Sequence, residues 1–182
     1  MGDSEAVLAP ADEARFETVT YTYYEQLNGY QWLKSLDIGY FFYTGRYVDA
    51  VAKVLDPARG RGAFHHLFPA HLNRHWCEIT EGRDFLDWRE PVDWVMSNPP
   101  WSRLRDFSRH AMRIAPNIVW LAPLTNLTTK ARLRDLDEAG FGIAELVLID
   151  TPKGWPQSGF QLVAAWLRKG HSGGWSVVRL AG

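Results

Sequence analysis

Between Lys53 and Leu167, short apolar runs alternate with stretches of helical spacing, and this alternation most restricts the fold. "KVLDP", "RHWCEI", "VDWVMS", "NIVWLAPL", "IAELVLIDT" and "FQLVAAWL" read as buried strands, the last two closing the series. "RGRGAFHHLF" reads as a glycine loop running into a helix, and "EGRDFLDW" as a turn. "SRLRDFSRHAMRIA" places Leu104, Phe107, Ala111 and Ile114 on one helical face, and "TKARLRDLDEAGF" is a helix stopped by Gly140. Thr44 is a plausible N-cap for a helix over Gly45–Ala52. Strand–helix alternation of this kind builds a doubly wound α/β sheet, with ligands beyond the carboxyl ends of its strands.

Other broad classes fall away. The 182 residues are 46% apolar and 23% charged, which fits one globular domain. Residues 1–15 read as a disordered N-terminus and 16–182 as a single domain. No run approaches the roughly 18 apolar residues of a membrane span, and the acidic N-terminus is unlike a signal peptide. A single cysteine, Cys77, excludes a disulfide framework and fits a reducing cytosol, so the expected location is cytoplasmic, away from membranes. The six histidines show no metal spacing, and no metal is expected. The net charge of −1 hides an asymmetry: residues 1–40 carry seven acids against two bases, residues 101–134 seven bases against one acid. Such a basic stretch is either a solvated helix face or a phosphate-binding rim.

Three constellations carry chemistry. Asp56-Pro57-Ala58-Arg59-Gly60-Arg61-Gly62 leads from a strand into a Gly-x-Gly turn, where the backbone can approach a ligand. His65 stands where a dinucleotide fingerprint has its third glycine, which disfavours a nicotinamide cofactor. Glu78 follows the next strand, placed as an acid that holds ribose hydroxyls, and Asp84-Phe85 offers a carboxylate and a ring to an adenine. Finally, "VMSNPPWSRL" ends a strand in Asn98-Pro99-Pro100-Trp101. Neither proline can donate to a ladder, so the strand stops there in a rigid bend.

This ordered set, over about Tyr40 to Leu167, resembles the S-adenosylmethionine-dependent amino-methyltransferases, particularly the DNA N6-adenine methyltransferases. Asn98-Pro99-Pro100-Trp101 matches the catalytic motif of that family, and "FFYTGRYVDAV" resembles a further cofactor motif. The resemblance implies a Rossmann-like doubly wound methyltransferase sheet, mostly parallel with an antiparallel last strand. It also implies S-adenosyl-L-methionine bound by Tyr43, Thr44, Asp56, Ala58, Gly60, Gly62, Glu78, Asp84, Phe85 and Asn98. The Asn98 side-chain carbonyl and the Pro99 backbone carbonyl would accept hydrogen bonds from an exocyclic amine while Trp101 stacks on the base. The segment from Glu78 to Asp84 is too short for a helix and a strand, so the fold is a trimmed version without a separate target recognition domain. Arg103, Arg105 and Arg109 are the expected phosphate contacts, with Arg105 and Arg109 the better pair at four-residue spacing. The implied partner is nucleic acid, DNA ahead of RNA. Cytosine N4, protein glutamine and a non-catalytic binding module, the last favoured by the bulky Arg59 and Arg61, are the alternatives.

Overall fold

A computed structural model of the chain describes residues 52–62, 64–150 and 159–179. The described residues form seven strands, β1 (Lys53–Asp56), β2 (Asn73–Trp76), β3 (Trp94–Ser97), β4 (Asn117–Pro123), β5 (Phe141–Ile149), β6 (Leu162–Lys169) and β7 (Ser176–Arg179). They form one sheet in the order β2-β1-β3-β4-β6-β5-β7. β1 to β4 are parallel neighbours, and β6 runs against both β4 and β5. The antiparallel strand therefore lies inside the sheet. A short strand that the sequence reading did not include, β7, follows it and pairs in parallel with β5.

The interior strands β1, β3, β4, β5 and β6 are buried on both faces, whereas β2 and β7, at the two edges of the sheet, are largely exposed. Along β3, Val95 points to one core, while Trp94 and Met96 point to the other. The first core takes α1 (Leu104–Ile114) and α3 (Lys130–Ala139), joined by a short α2 (Leu124–Leu127). Leu104, Phe107, Ala111 and Ile114 are the buried stripe of α1, as their spacing requires. Thr129 caps α3 by accepting from the Arg132 amide, and Gly140 ends it at φ 71°. On the second face, Trp94 and Trp166 stack with centroids 5.8 Å apart, and Phe64, Phe68 and Leu72 pack nearby.

The glycine loop does not open a helix. It leads to a single 3-10 turn, His65–Leu67. Phe68, the residue before Pro69, is extended at ψ 130°, as the position before a proline tends to be, so the helix has no room to propagate. Between β2 and β3 lie two further 3-10 turns, Ile79–Glu81, closed by an isolated bridge between Glu78 and Arg83, and Phe85–Asp87. That is the abbreviated connection the sequence implied.

Candidate active site

Because β1, β3 and β4 run the same way, their carboxyl ends place Asp56, Ser97 and Pro123 along one edge. Asp56 is fully buried. Its Oδ1 accepts from the Ser97 hydroxyl at 2.7 Å and from the Ala58 amide at 3.3 Å. A buried carboxylate persists only when such donors replace water. Here the donors tie the start of the glycine loop to the residue just before Asn98.

The loop itself closes on the end of β2. Gly60, at φ 53°, donates its amide to Glu78 Oε2 at 2.7 Å. Glu78 Oε1 accepts from the Thr80 hydroxyl at 2.8 Å and the Thr80 amide at 3.1 Å. These bonds, the Thr80 hydroxyl foremost, hold the Glu78 carboxyl below its ordinary range against a partial burial that opposes them. Arg59 pairs with Glu81 and lies 3.8 Å from the centre of the Trp76 ring; Arg83 lies 4.0 Å from the same centre. Next to Glu78, Ile79 is 60% exposed, a large apolar side chain facing solvent. The space where a Cβ would stand on Gly60 is open, whereas one on Gly62 would meet the His66 ring at 2.5 Å.

Asp84 and Phe85 serve the fold more directly than the sequence suggested. Asp84 Oδ1 caps its own turn by accepting from the Leu86 amide at 2.9 Å. Phe85 is 2% exposed, with the rings of Phe107 and His110 centred 5.0 and 4.8 Å away. Its ring is a core side chain packed on α1. Burial also accounts for Cys77, whose thiol is pushed up to about 11, leaving a neutral packed group.

At the end of β3, Asn98 is half-buried, Pro99 is buried and Pro100 is exposed. Pro100, at φ −61°, opens the 3-10 turn Trp101–Arg103 that runs into α1. The Trp101 indole N–H donates to Asn98 Oδ1 at 3.1 Å and to the Leu121 carbonyl at 3.2 Å. Phe160 meets the indole edge-to-face, with centroids 5.5 Å apart.

The basic stretch divides. Arg105 grips Asp135 with two bonds, Nε to Oδ2 at 2.7 Å and Nη2 to Oδ1 at 3.1 Å; Arg109 Nη2 adds a third at 2.7 Å. Asp135 is buried, and the two guanidiniums, Arg105 first, hold its carboxyl far below the usual carboxylate range. The pair expected to meet phosphate therefore clamps α1 to α3. Arg103 is engaged more loosely: Asp106 stands 3.9 Å away and both side chains are exposed.

Asp56, Ala58, Gly60, Gly62, Glu78 and Asn98 thus share one edge, and Tyr43 and Thr44 lie outside the described residues. Sequence reasoning missed Ser97, Thr80, Ile79 and Leu121. Only Ile79 carried a signal, an apolar residue in a polar turn. Among the described residues no group of three His, Cys, Asp or Glu could hold a metal ion, and no helix is long and apolar enough to cross a membrane.

No family model matches the chain. A candidate ATP-dependent helicase of Bacillus subtilis (strain 168), YeeB, is 56% identical over 55 residues, which take in 30% of this chain and 9% of that protein. Among solved structures, a candidate class I S-adenosylmethionine-dependent methyltransferase from Listeria monocytogenes superposes with a TM-score of 0.59. It is 12% identical, over 81% of this chain and 65% of its own. The modification subunit of a candidate type I restriction enzyme from Vibrio vulnificus gives 0.57 at 14% identity, over 80% and 46%. Magnesium protoporphyrin IX methyltransferase from Synechocystis, with bound S-adenosylhomocysteine, gives 0.51 at 13%, over 92% and 90%. At these identities the likeness is one of fold: a Rossmann-like methyltransferase sheet.

Proposed function

We propose that this chain is an S-adenosyl-L-methionine-dependent methyltransferase that transfers a methyl group to the N6 amine of adenine in DNA. The observation that carries the reading is the Asp56–Ser97 hydrogen bond, which fixes the glycine loop and the Asn98-Pro99-Pro100-Trp101 bend to each other at the carboxyl edge of the sheet. The fold likeness to a restriction modification subunit supports a nucleic-acid acceptor, and the likeness to a methyltransferase holding S-adenosylhomocysteine supports the cofactor.

The residues suit that cofactor. Glu78 stays ionised beside the glycine loop, its oxygens placed to accept ribose hydroxyls in addition to the bonds they hold. Ile79 presents an apolar surface next to it, and Gly60 leaves its Cα open to close approach. The cofactor supplies an electrophilic methyl, and transfer is a direct in-line displacement. Asn98 Oδ1 and the Pro99 carbonyl accept the two N–H groups of the amine, aim its lone pair and take up the positive charge that develops on nitrogen. As the N–C bond forms and the C–S bond breaks, the demethylated thioether cofactor would leave and the amine nitrogen would give up one proton to solvent water, with no residue of the chain bonded to the methyl. A base in a duplex must be flipped out to reach this bend, and Arg103 is the described residue of the three arginines best able to meet a phosphate.

Tritiated methyl transfer from S-adenosylmethionine onto DNA, RNA and protein in parallel, followed by nucleoside digestion, tests the reading. Label in N6-methyladenine from DNA is the expected result. Label only in RNA, N4-methylcytosine or glutamine would move the acceptor, and calorimetry showing no cofactor binding would remove the enzyme.

A further inference from the structure

The Trp101 N–H points inward, at two oxygens. It reaches Asn98 Oδ1 at 3.1 Å and the Leu121 carbonyl at 3.2 Å, while Phe160 braces the ring. We infer that Trp101 is a positioning residue that acts through Asn98, holding the side-chain amide with its oxygen turned toward the acceptor amine. The inference rests on the amine-transfer reading above.

An asparagine amide can turn end for end with little change in shape, exchanging its oxygen for an NH2. In this site the exchange matters. An NH2 facing the acceptor would either oppose its N–H groups or bond the nitrogen lone pair and withhold it from the methyl. An indole N–H is a donor only, so it pairs with the oxygen and rejects the amide nitrogen. Leu121, at the carboxyl end of β4, anchors the indole independently of Asn98. An amide oxygen accepts two bonds, so one remains for the substrate. A phenylalanine at this position would keep an aromatic face and lose the lock.

The measurement is steady-state methyl transfer from S-adenosylmethionine to an adenine-containing single-stranded oligodeoxynucleotide, with RNA and glutamine-peptide acceptors in parallel. Trp101→Phe, and the sulfur isostere benzothienylalanine incorporated at position 101, both remove the N–H; the isostere preserves the ring area should the Phe protein fold poorly. kcat should fall about tenfold with KM and cofactor affinity near wild type. Asn98→Asp supplies the control, because a carboxylate has an acceptor on either side and nothing to lock. On that background, loss of the N–H should change kcat less than about twofold. A structural role predicts equal losses on both backgrounds, in step with melting temperature, and would overturn the inference. Wild-type kcat in both variants, or a loss confined to KM as simple stacking predicts, would overturn it too. A wild-type chain inactive on all three acceptors would fell the amine-transfer reading and the inference with it.

Discussion

Asn98, Glu78 and Cys77 show how position alone sorts similar polar side chains into different tasks. In the proposed reading the Asn98 side chain serves the acceptor amine more than the cofactor, so Asn98→Ala should lose most of kcat while calorimetric affinity for S-adenosylmethionine stays near wild type. An Asn98→Ala protein with wild-type turnover would remove the bend from the chemistry. Glu78→Ala should do the reverse and weaken cofactor binding by about 1–3 kcal/mol, since ribose hydroxyls would lose their acceptor. Unchanged affinity in the folded variant would shift that task to Asp84. Cys77 should resist alkylation at neutral pH in the native chain and react only on unfolding, because its raised pKa leaves almost no thiolate. Rapid labelling of the native protein would show that the β2 end is more open than its 2% exposure indicates.

Among the elements, α1 and α3 were legible and their clasp was not. The Leu104, Phe107, Ala111 and Ile114 stripe and the Gly140 stop are local patterns, written within one or two turns. Asp135, the partner of Arg105 and Arg109, sits 30 and 26 positions away on α3, a separation that no spacing rule reaches, so the clamp could not be read from the basic stretch alone. Asp56–Ser97, 41 positions apart, escaped notice for the same reason, although both ends had been singled out or flanked a residue that had. β7 was missed because "SVVR" is short, mostly exposed and without an apolar face of its own.

Asp135→Asn should therefore lower stability, by about 1–2 kcal/mol once the half-exposure of the two arginines is discounted. Because folding depresses the Asp135 pKa, its contribution is complete above the ordinary value of 3.8 and is lost as pH falls through the lower folded value. Urea titrations of both proteins should thus show a constant gap from neutral pH to about 4 that narrows below it. Arg105→Ala and Arg109→Ala should lower melting temperature, whereas Arg103→Ala should leave it unchanged and flatten the salt dependence of DNA binding by roughly one unit of log–log slope. Equal salt slopes in all three variants would return Arg103 to solvent.

At the largest scale, the sheet formed by the described residues, with a core on each face, carries the edge on which the candidate site is built. β6 lies inside that sheet, hydrogen-bonded to β4 from Asn117 to Pro123 and to β5 along nearly its whole length. Yet a ribosome makes β6 after both of its neighbours. Until Leu162–Lys169 emerges, β4 and β5 have no strand between them and expose two apolar edges, the condition under which nascent chains aggregate. The carbonyl of Leu121, which anchors Trp101, sits on one of those waiting strands, opposite Ala164. The two braces on the Trp101 indole are therefore made at different times: Leu121 is in place before β6, whereas Phe160 emerges only just ahead of it.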